Sequence, residues 1–373
     1  MWGQIKSAIN SNLSVPLNTH IQRVFNWGLP HVLWRTTTGD IVVPRDMKLR
    51  VYAVGQGGTM AGNDGGKGGG CAIDERDYHA GDVLACSITS ARTIVSCSDR
   101  GLNITAFAGI GRTDGGTAIG GNIANHEGGD GGLGGVNGRL ATNSATMPAG
   151  HGTDADNGAN SEGCGGGGGN GGSGGHASVP NTLAPGGNAG LSGLGGNGLF
   201  GGNGGNGGQG GNGGSTHGSP GGHASNGSNG GFGSLYAGAG GNGSTRGNTG
   251  SGGTFVARSG SGGNGGNGGL FGGKGGNTAF SGGNPGSGGN GLFGGNGGDV
   301  PGASNHGAGG NGTIGRGGLG DRAGSNGLGL NNGTVPAMGL VPITNYPPQA
   351  NYGGGNFIAN QQGMPIVFIE EVI

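Results

Sequence analysis

The spacing of apolar positions changes along this chain, and each change marks a different kind of structure. Near the start, Ile5, Ile9, Leu13 and Leu17 recur at helical intervals, which predicts a short amphipathic helix interrupted near Pro16. The stretches VLWRTTTGDIVVP and KLRVYAV that follow read as strands bounded by turn residues. Period-two alternation in Val83–Ile88, Thr93–Cys97 and Asn103–Phe107 predicts short antiparallel strands. The terminal run MPIVFIEEVI reads as one more, with Ile366, Phe368 and Glu370 on one face and Val367, Ile369 and Glu371 on the other. A strand at the chain end has unpaired backbone groups, and the strands of 48–109 are its natural partners.

Between these regions the period becomes three. Residues 201–214 read GGN GGN GGQ GGN GG, and the frame extends back through Phe200, Asn197, Leu194, Leu191 and Asn188. It returns at 282–299, with Asn284, Ser287, Asn290, Phe293, Asn296 and Asp299 in register. Three residues per turn is the repeat of the polyproline II helix, which has no internal hydrogen bonds and rises about 3.1 Å per residue. Glycine at two positions of three leaves two edges of such a helix bare, so neighbours can approach backbone to backbone. An isolated helix of this kind cannot offset the entropy of ordering glycine, but a bundle whose members bond to one another can. A flexible linker, the alternative for glycine-rich sequence, has no use for a kept phase.

The expected fold is therefore mostly irregular and polyglycine II: a layered sandwich of glycine-rich helices with a smaller β-rich framework and a short N-terminal attachment region. The expected boundaries are 1–47 for attachment, 48–109 completed by 364–373 for the β-rich part, 110–330 for the sandwich and its loops, and 331–363 as a connector.

Composition narrows the function classes. Gly supplies 111 of 373 residues, only 9% are charged, and the net charge is −1. That excludes a charged-shell globule for most of the chain, and the 14 prolines are too few for collagen. Between Gly163 and Gly298 there is no acidic residue and the only cations are Arg246, Arg258 and Lys274, so there is no basic stripe and no nucleic-acid partner is expected. Cys71, Cys86, Cys97 and Cys164 form no CxxC pair, and no disulfide scaffold is expected. The opening residues show no apolar signal core and no stretch approaches a membrane span, so the expectation is a chain made and assembled inside a cell, or exported by another route, without membrane insertion.

Candidate chemistry is sparse. The 9 histidines show no HExxH-type spacing, and no metal or cofactor is expected. GGDGGLGG at Gly128 has one turn of a calcium-repeat pattern that does not recur, and the GxGxxG matches lack a βαβ context. Asp154, Asp156 and Glu162 could pair as glycosidase carboxylates, but no aromatic pocket accompanies them and solvated charge is the better reading. No enzyme is expected. Binding is better supported: Phe232, Tyr236, Arg246, Phe255, Arg258 and Phe280 stand in connectors against a bare glycine background, and aromatic residues and Arg dominate hot spots. The structural alternative, that these rings cap glycine layers, weighs equally for Phe280. Trp2, Trp27 and Trp34 are candidates for docking on another protein, or for a small local core.

Glycine runs alternating with variable connectors over about residues 110–320, after an unrelated N-terminal part, resemble the receptor-binding adhesins at the long-tail-fibre tips of T-even-like bacteriophages. The stretch KLRVYAVGQGG…GGGCAIDERDYHAGDVLACSIT…LNITAFAGIG with the terminal IVFIEE resembles the glycine-rich β domain of various phage tail proteins. LFGGNGGNGG is also similar to mycobacterial PGRS repeats, but the PE domain that precedes those is absent. The adhesin resemblance implies a three-layered sandwich of polyglycine II helices, attachment of the N-terminal region to the distal tail-fibre protein, and loops that bind a bacterial outer-membrane protein or surface glycan. It implies a protein made in the host cytoplasm and placed in the virion at the fibre tip. Two other classes stay open: a structural or ice-binding glycine-rich protein, which would show a regular Thr/Ala face, and a fibre-assembly chaperone absent from finished virions.

Overall fold

Alternation dictates the best-defined part of the molecule. In the computed structural model Leu84 and Cys86, Val95 and Cys97, and Leu102, Ile104 and Ala106 point inward from three neighbouring strands, while Val83, Ala85, Ser87 and Asn103 face solvent. The structure describes residues 32–59, 62–140, 149–174, 186–205, 207–209, 222–236, 238, 240–241, 243–244, 260–268, 277, 284–290, 351–352 and 362–372. The strands are β1 Val32–Arg35, β2 Gly39–Val42, β3 Met47–Val54, β4 Cys71–Tyr78, β5 Val83–Ile88, β6 Arg92–Cys97, β7 Leu102–Phe107, β8 Gly109–Ile110, β9 Asp114–Gly115, β10 Ala118–Ile119 and β11 Ala124–His126. After the glycine region come β12 Gly198–Phe200, β13 Gly233–Tyr236, β14 Asn351–Tyr352, β15 Gln362–Met364 and β16 Ile366–Glu371.

Two five-stranded antiparallel sheets pack face to face, in the orders β1-β16-β3-β4-β11 and β10-β7-β6-β5-β2. The terminal strand β16 lies inside the first sheet, between β1 and β3. Residues 32–47 are likewise part of this framework, not of a separate attachment unit, because β1 pairs with β16 and β2 pairs with β5. The core between the sheets gathers Met47, Leu49, Val51 and Ala53 of β3, Val367 and Ile369 of β16, and the inward residues of the second sheet. Thr93 is buried in it and its hydroxyl donates to the Val54 carbonyl at 2.8 Å, which satisfies the polar group where water cannot reach.

The outer face of the first sheet changes character along β3. Lys48 and Arg50 pair with Glu75 at 2.5 and 2.6 Å, and Arg50 also reaches Glu370 at 3.0 Å across the register that sets these residues opposite each other. Two residues further on, the same face carries Tyr52 and Val54, buried with Ile366, Phe368, Cys71, Ile73, Cys164 and Phe200. Tyr52 and Phe368 meet edge to face with centroids 5.6 Å apart. Leu199, Leu235 and Trp34 pack against this second core, so the framework is sealed on that side by the glycine region itself.

One turn ties several elements. Gly81 takes φ 93°, open to glycine and strained for other residues, between β4 and β5. Asp82 accepts the His79 N–H at 2.8 Å and Arg100 Nε–H at 2.5 Å, and its carbonyl accepts the Val43 N–H beyond β2. The Arg100 hydrogen bond, then that of the His79 amide, hold the Asp82 carboxyl below the usual carboxylate range.

Candidate functional site

Backbone hydrogen bonds of the glycine region follow a three-residue cycle. In the segment 163–174 the N–H groups of Gly165, Gly166 and Gly167 donate in turn to Phe200, Ala159 and Gly66. The next three, Gly168, Gly169 and Asn170, donate to Asn203, Asp156 and Asn63. Successive amides thus reach the same three neighbouring segments, each bond 2.6–3.0 Å long. Segments that follow one another in sequence run antiparallel across two layers, as Gly166, Gly169 and Gly172 on Ala159, Asp156 and Thr153 show. Alternate segments lie side by side and parallel, as Gly129, Gly132, Gly135 and Gly138 on Cys164, Gly167, Asn170 and Ser173 show. Residues 63–68 lie against 163–170 as a further neighbour, held by Lys67, whose buried ammonium reaches Glu127 at 2.7 Å and Asp130 at 2.9 Å. Burial opposes the Lys67 charge, but these two hydrogen bonds outweigh it and its pKa is raised. Asp130, in the calcium-like motif, is thus engaged in an ion pair.

The segment 186–198 has a neighbour on each side but, among the described residues, no backbone acceptor for its third amide. Gly195 donates sideways to the Asn229 carbonyl and Gly196 donates across to Gly166. The third amide, Asn197 N–H, donates to the side-chain oxygen of Asn160 at 2.8 Å. Asn197 Oδ1 in turn accepts the Phe232 N–H at 2.8 Å, and Asn157 serves Leu194 in the same way at 2.7 Å. The device continues through Asn229, Asn264 and Ser287, at 2.8 and 2.9 Å. This gives the GGN triplet a physical reading: one glycine for the lateral bond, one for the bond between layers, and an asparagine whose oxygen accepts the amide left over. The glycines are sterically required, since a Cβ built on Gly196 would overlap the Ala159 carbonyl and one on Gly195 that of Gly202. Asp154 and His151 occupy the same kind of position, accepting the Leu191 and Asn188 amides at 2.7 and 2.9 Å, so these residues serve the scaffold.

The outward positions form an exposed face. Leu191, Leu194 and Phe232 stand on it 62%, 45% and 50% exposed, among Asn157, Asn160, Asn197 and Asn229. Phe200, in the same sequence frame, is instead fully buried in the second core, because the segment there reaches the framework and pairs with β13.

Of the recognition candidates, Phe232 is on this face. Gly233–Tyr236 forms β13, which pairs with β12, so Tyr236 has its backbone in a structured element and not in a loop. Arg246, Phe255, Arg258 and Phe280 lie outside the described residues, as do Trp2 and Trp27 and the helix expected over Ile5–Leu17. Trp34 sits in β1 opposite Phe368 and, partly buried, packs against the second core. All four cysteines are buried with free thiols, and burial pushes the Cys71 thiol up to about 12, far from reactive. Among the described residues no cluster of His, Cys, Asp and Glu could hold a metal ion, and no helix is long and apolar enough to cross a membrane. The recurrence of Asn in one phase is the sequence signal of the asparagine ladder; its partners, such as Asn160 for the Asn197 amide, come from the structure alone. Comparison with protein-family models, curated proteins and solved structures finds no match.

Proposed function

We propose that the glycine region is a sandwich of polyglycine II helices and that the chain is a non-enzymatic adhesin of a phage tail-fibre tip, which presents recognition residues to a bacterial surface. The observation that carries this reading is the cycle of three amides onto three neighbours, which a three-fold helix produces and a β-strand, with two-fold alternation, does not. Glycines with positive φ stop at Gly120; among the described glycines beyond it none has one, in keeping with the negative φ of polyproline II. A scaffold of this kind holds side chains rigidly with almost no charge, and loops on a rigid scaffold are the common place for recognition. Phe232 and the connector residues Tyr236, Arg246, Phe255, Arg258 and Phe280 are the proposed contacts with an outer-membrane protein or surface glycan. Trp2 and Trp27 are the proposed contacts with the distal fibre protein.

Ice binding fits less well, since the outward positions carry Asn, Leu, Asp, His, Ser and Phe and not a regular Thr/Ala row. The test is competition: saturating purified protein, added to host cells before infection, should block adsorption, and virions should contain the chain. Unblocked adsorption together with virions lacking the chain would remove the reading. A chain absent from virions but required for fibre assembly would mark the chaperone class instead.

A further inference from the structure

We infer that the asparagine face is itself a binding surface, and that its ligand is a surface polysaccharide. This inference rests on the adhesin reading and assigns a ligand class to one face of it. The argument starts from a constraint on amide orientation. A backbone N–H can only donate, so the atom of Asn160 that meets the Asn197 amide must be its oxygen. The same holds for Asn157, Asn197, Asn229 and Asn264 against the amides of Leu194, Phe232, Asn264 and Ser287. With each oxygen turned inward and each residue exposed, the Nδ2 groups point to solvent. Every such asparagine then offers two donors outward. In a three-fold helix they recur about every 9 Å along a segment, three residues at about 3.1 Å each.

The asparagine positions are therefore rich in donors of fixed direction, with Asp154 adding a carboxylate acceptor in one row. They call for a ligand rich in oxygen acceptors and extended enough to meet several rows. Charge narrows the choice: no residue from Gly163 to Gly298 is acidic and the only Lys or Arg residues there are Arg246, Arg258 and Lys274, too few for the basic stripe that holds a polyanion such as nucleic acid. The apolar residues narrow it further. Leu194 is bonded to Asn157, and Phe232 to Asn197, which places two exposed apolar side chains directly among the amides. A sugar ring presents the matching combination, an apolar C–H face with hydroxyl oxygens around its rim. A protein partner would need a larger apolar centre than three separate side chains supply.

Asn→Asp substitution separates binding from scaffolding. Aspartate keeps an inward oxygen for the neighbouring amide, as Asp154 does for Leu191, while the outward donors become acceptors. The full chain and the variants Asn197→Asp, Asn229→Asp and Phe232→Ala are applied to an array of bacterial surface polysaccharides and to intact cells of the same strains, with unfolding midpoints measured alongside. The inference predicts that the wild-type chain binds a subset of polysaccharides, and that each variant loses at least about tenfold in affinity with an unchanged midpoint. Wild-type binding to cells but to no polysaccharide, or Asp variants that bind as the wild type does, would overturn the glycan assignment and leave the adhesin reading standing. Binding to neither cells nor polysaccharides would overturn both.

Discussion

At the scale of single residues, the triplet assigns each position a different tolerance. Gly196 and Asn197 are neighbours, yet Gly196 is enclosed, its N–H donating to the opposite layer, while Asn197 faces solvent. Gly196→Ala would press a methyl into the Ala159 carbonyl, and backbone there cannot move without disturbing the bonds on either side. It should cost about 1–3 kcal/mol or more, the usual range for overpacking. Asn197→Ala removes one amide-to-oxygen bond at an exposed position and should cost about 1 kcal/mol, while Asn197→Asp should be close to neutral. Chemical denaturation of the three variants checks the order. The same scale shows where the sequence frame stopped being informative. It placed Asn188, Leu191, Leu194 and Asn197 in one phase, and all four are exposed. Phe200 is in the same phase but buried, because the phase repeats along the sequence and where a segment ends against the framework does not.

At the scale of elements, the framework strands were legible because one buried face imposes alternation, as in β5, β6 and β7. The membership of β1 and β2 was not, since pairing over such separations leaves no local mark: Trp34 lies opposite Phe368 and Ile41 opposite Leu84. The partners within the ladder were illegible for the same reason, because the sequence does not say that Asn160 will stand beside Asn197. The turn between β4 and β5 supplies a pH prediction. Asp82 has its pKa lowered in the folded state, first by the Arg100 hydrogen bond, so its stabilising contribution is present above the unfolded value of about 3.9 and is lost as pH falls through the folded value. Asp82→Asn should lower stability at neutral pH and flatten the acid limb of the stability curve. Urea midpoints between neutral pH and about pH 3 measure both effects. A variant as acid-sensitive as the wild type would remove Asp82 from that role.

At the scale of the molecule, the two architectures are joined through a shared core. Cys164, Phe200 and Leu235 from the glycine region pack with Tyr52, Ile366 and Phe368 of the framework, so neither surface is complete alone. Phe200→Ala should cost about 3–5 kcal/mol, the range for deleting a buried ring, and should loosen both parts together. A variant that melts one part and leaves the other at its original midpoint would show that the shared core does not couple them. The function proposed depends on that rigidity, because outward asparagines and Phe232 make a surface only if the glycines beneath them are held.

Amide hydrogen exchange across 163–172 measures that directly. The account predicts strong protection of Gly165 through Asn170 and of Gly172, whose amides each have a partner on one of three neighbouring segments. Exchange of these amides at the rate of an unstructured peptide in the same buffer would contradict it.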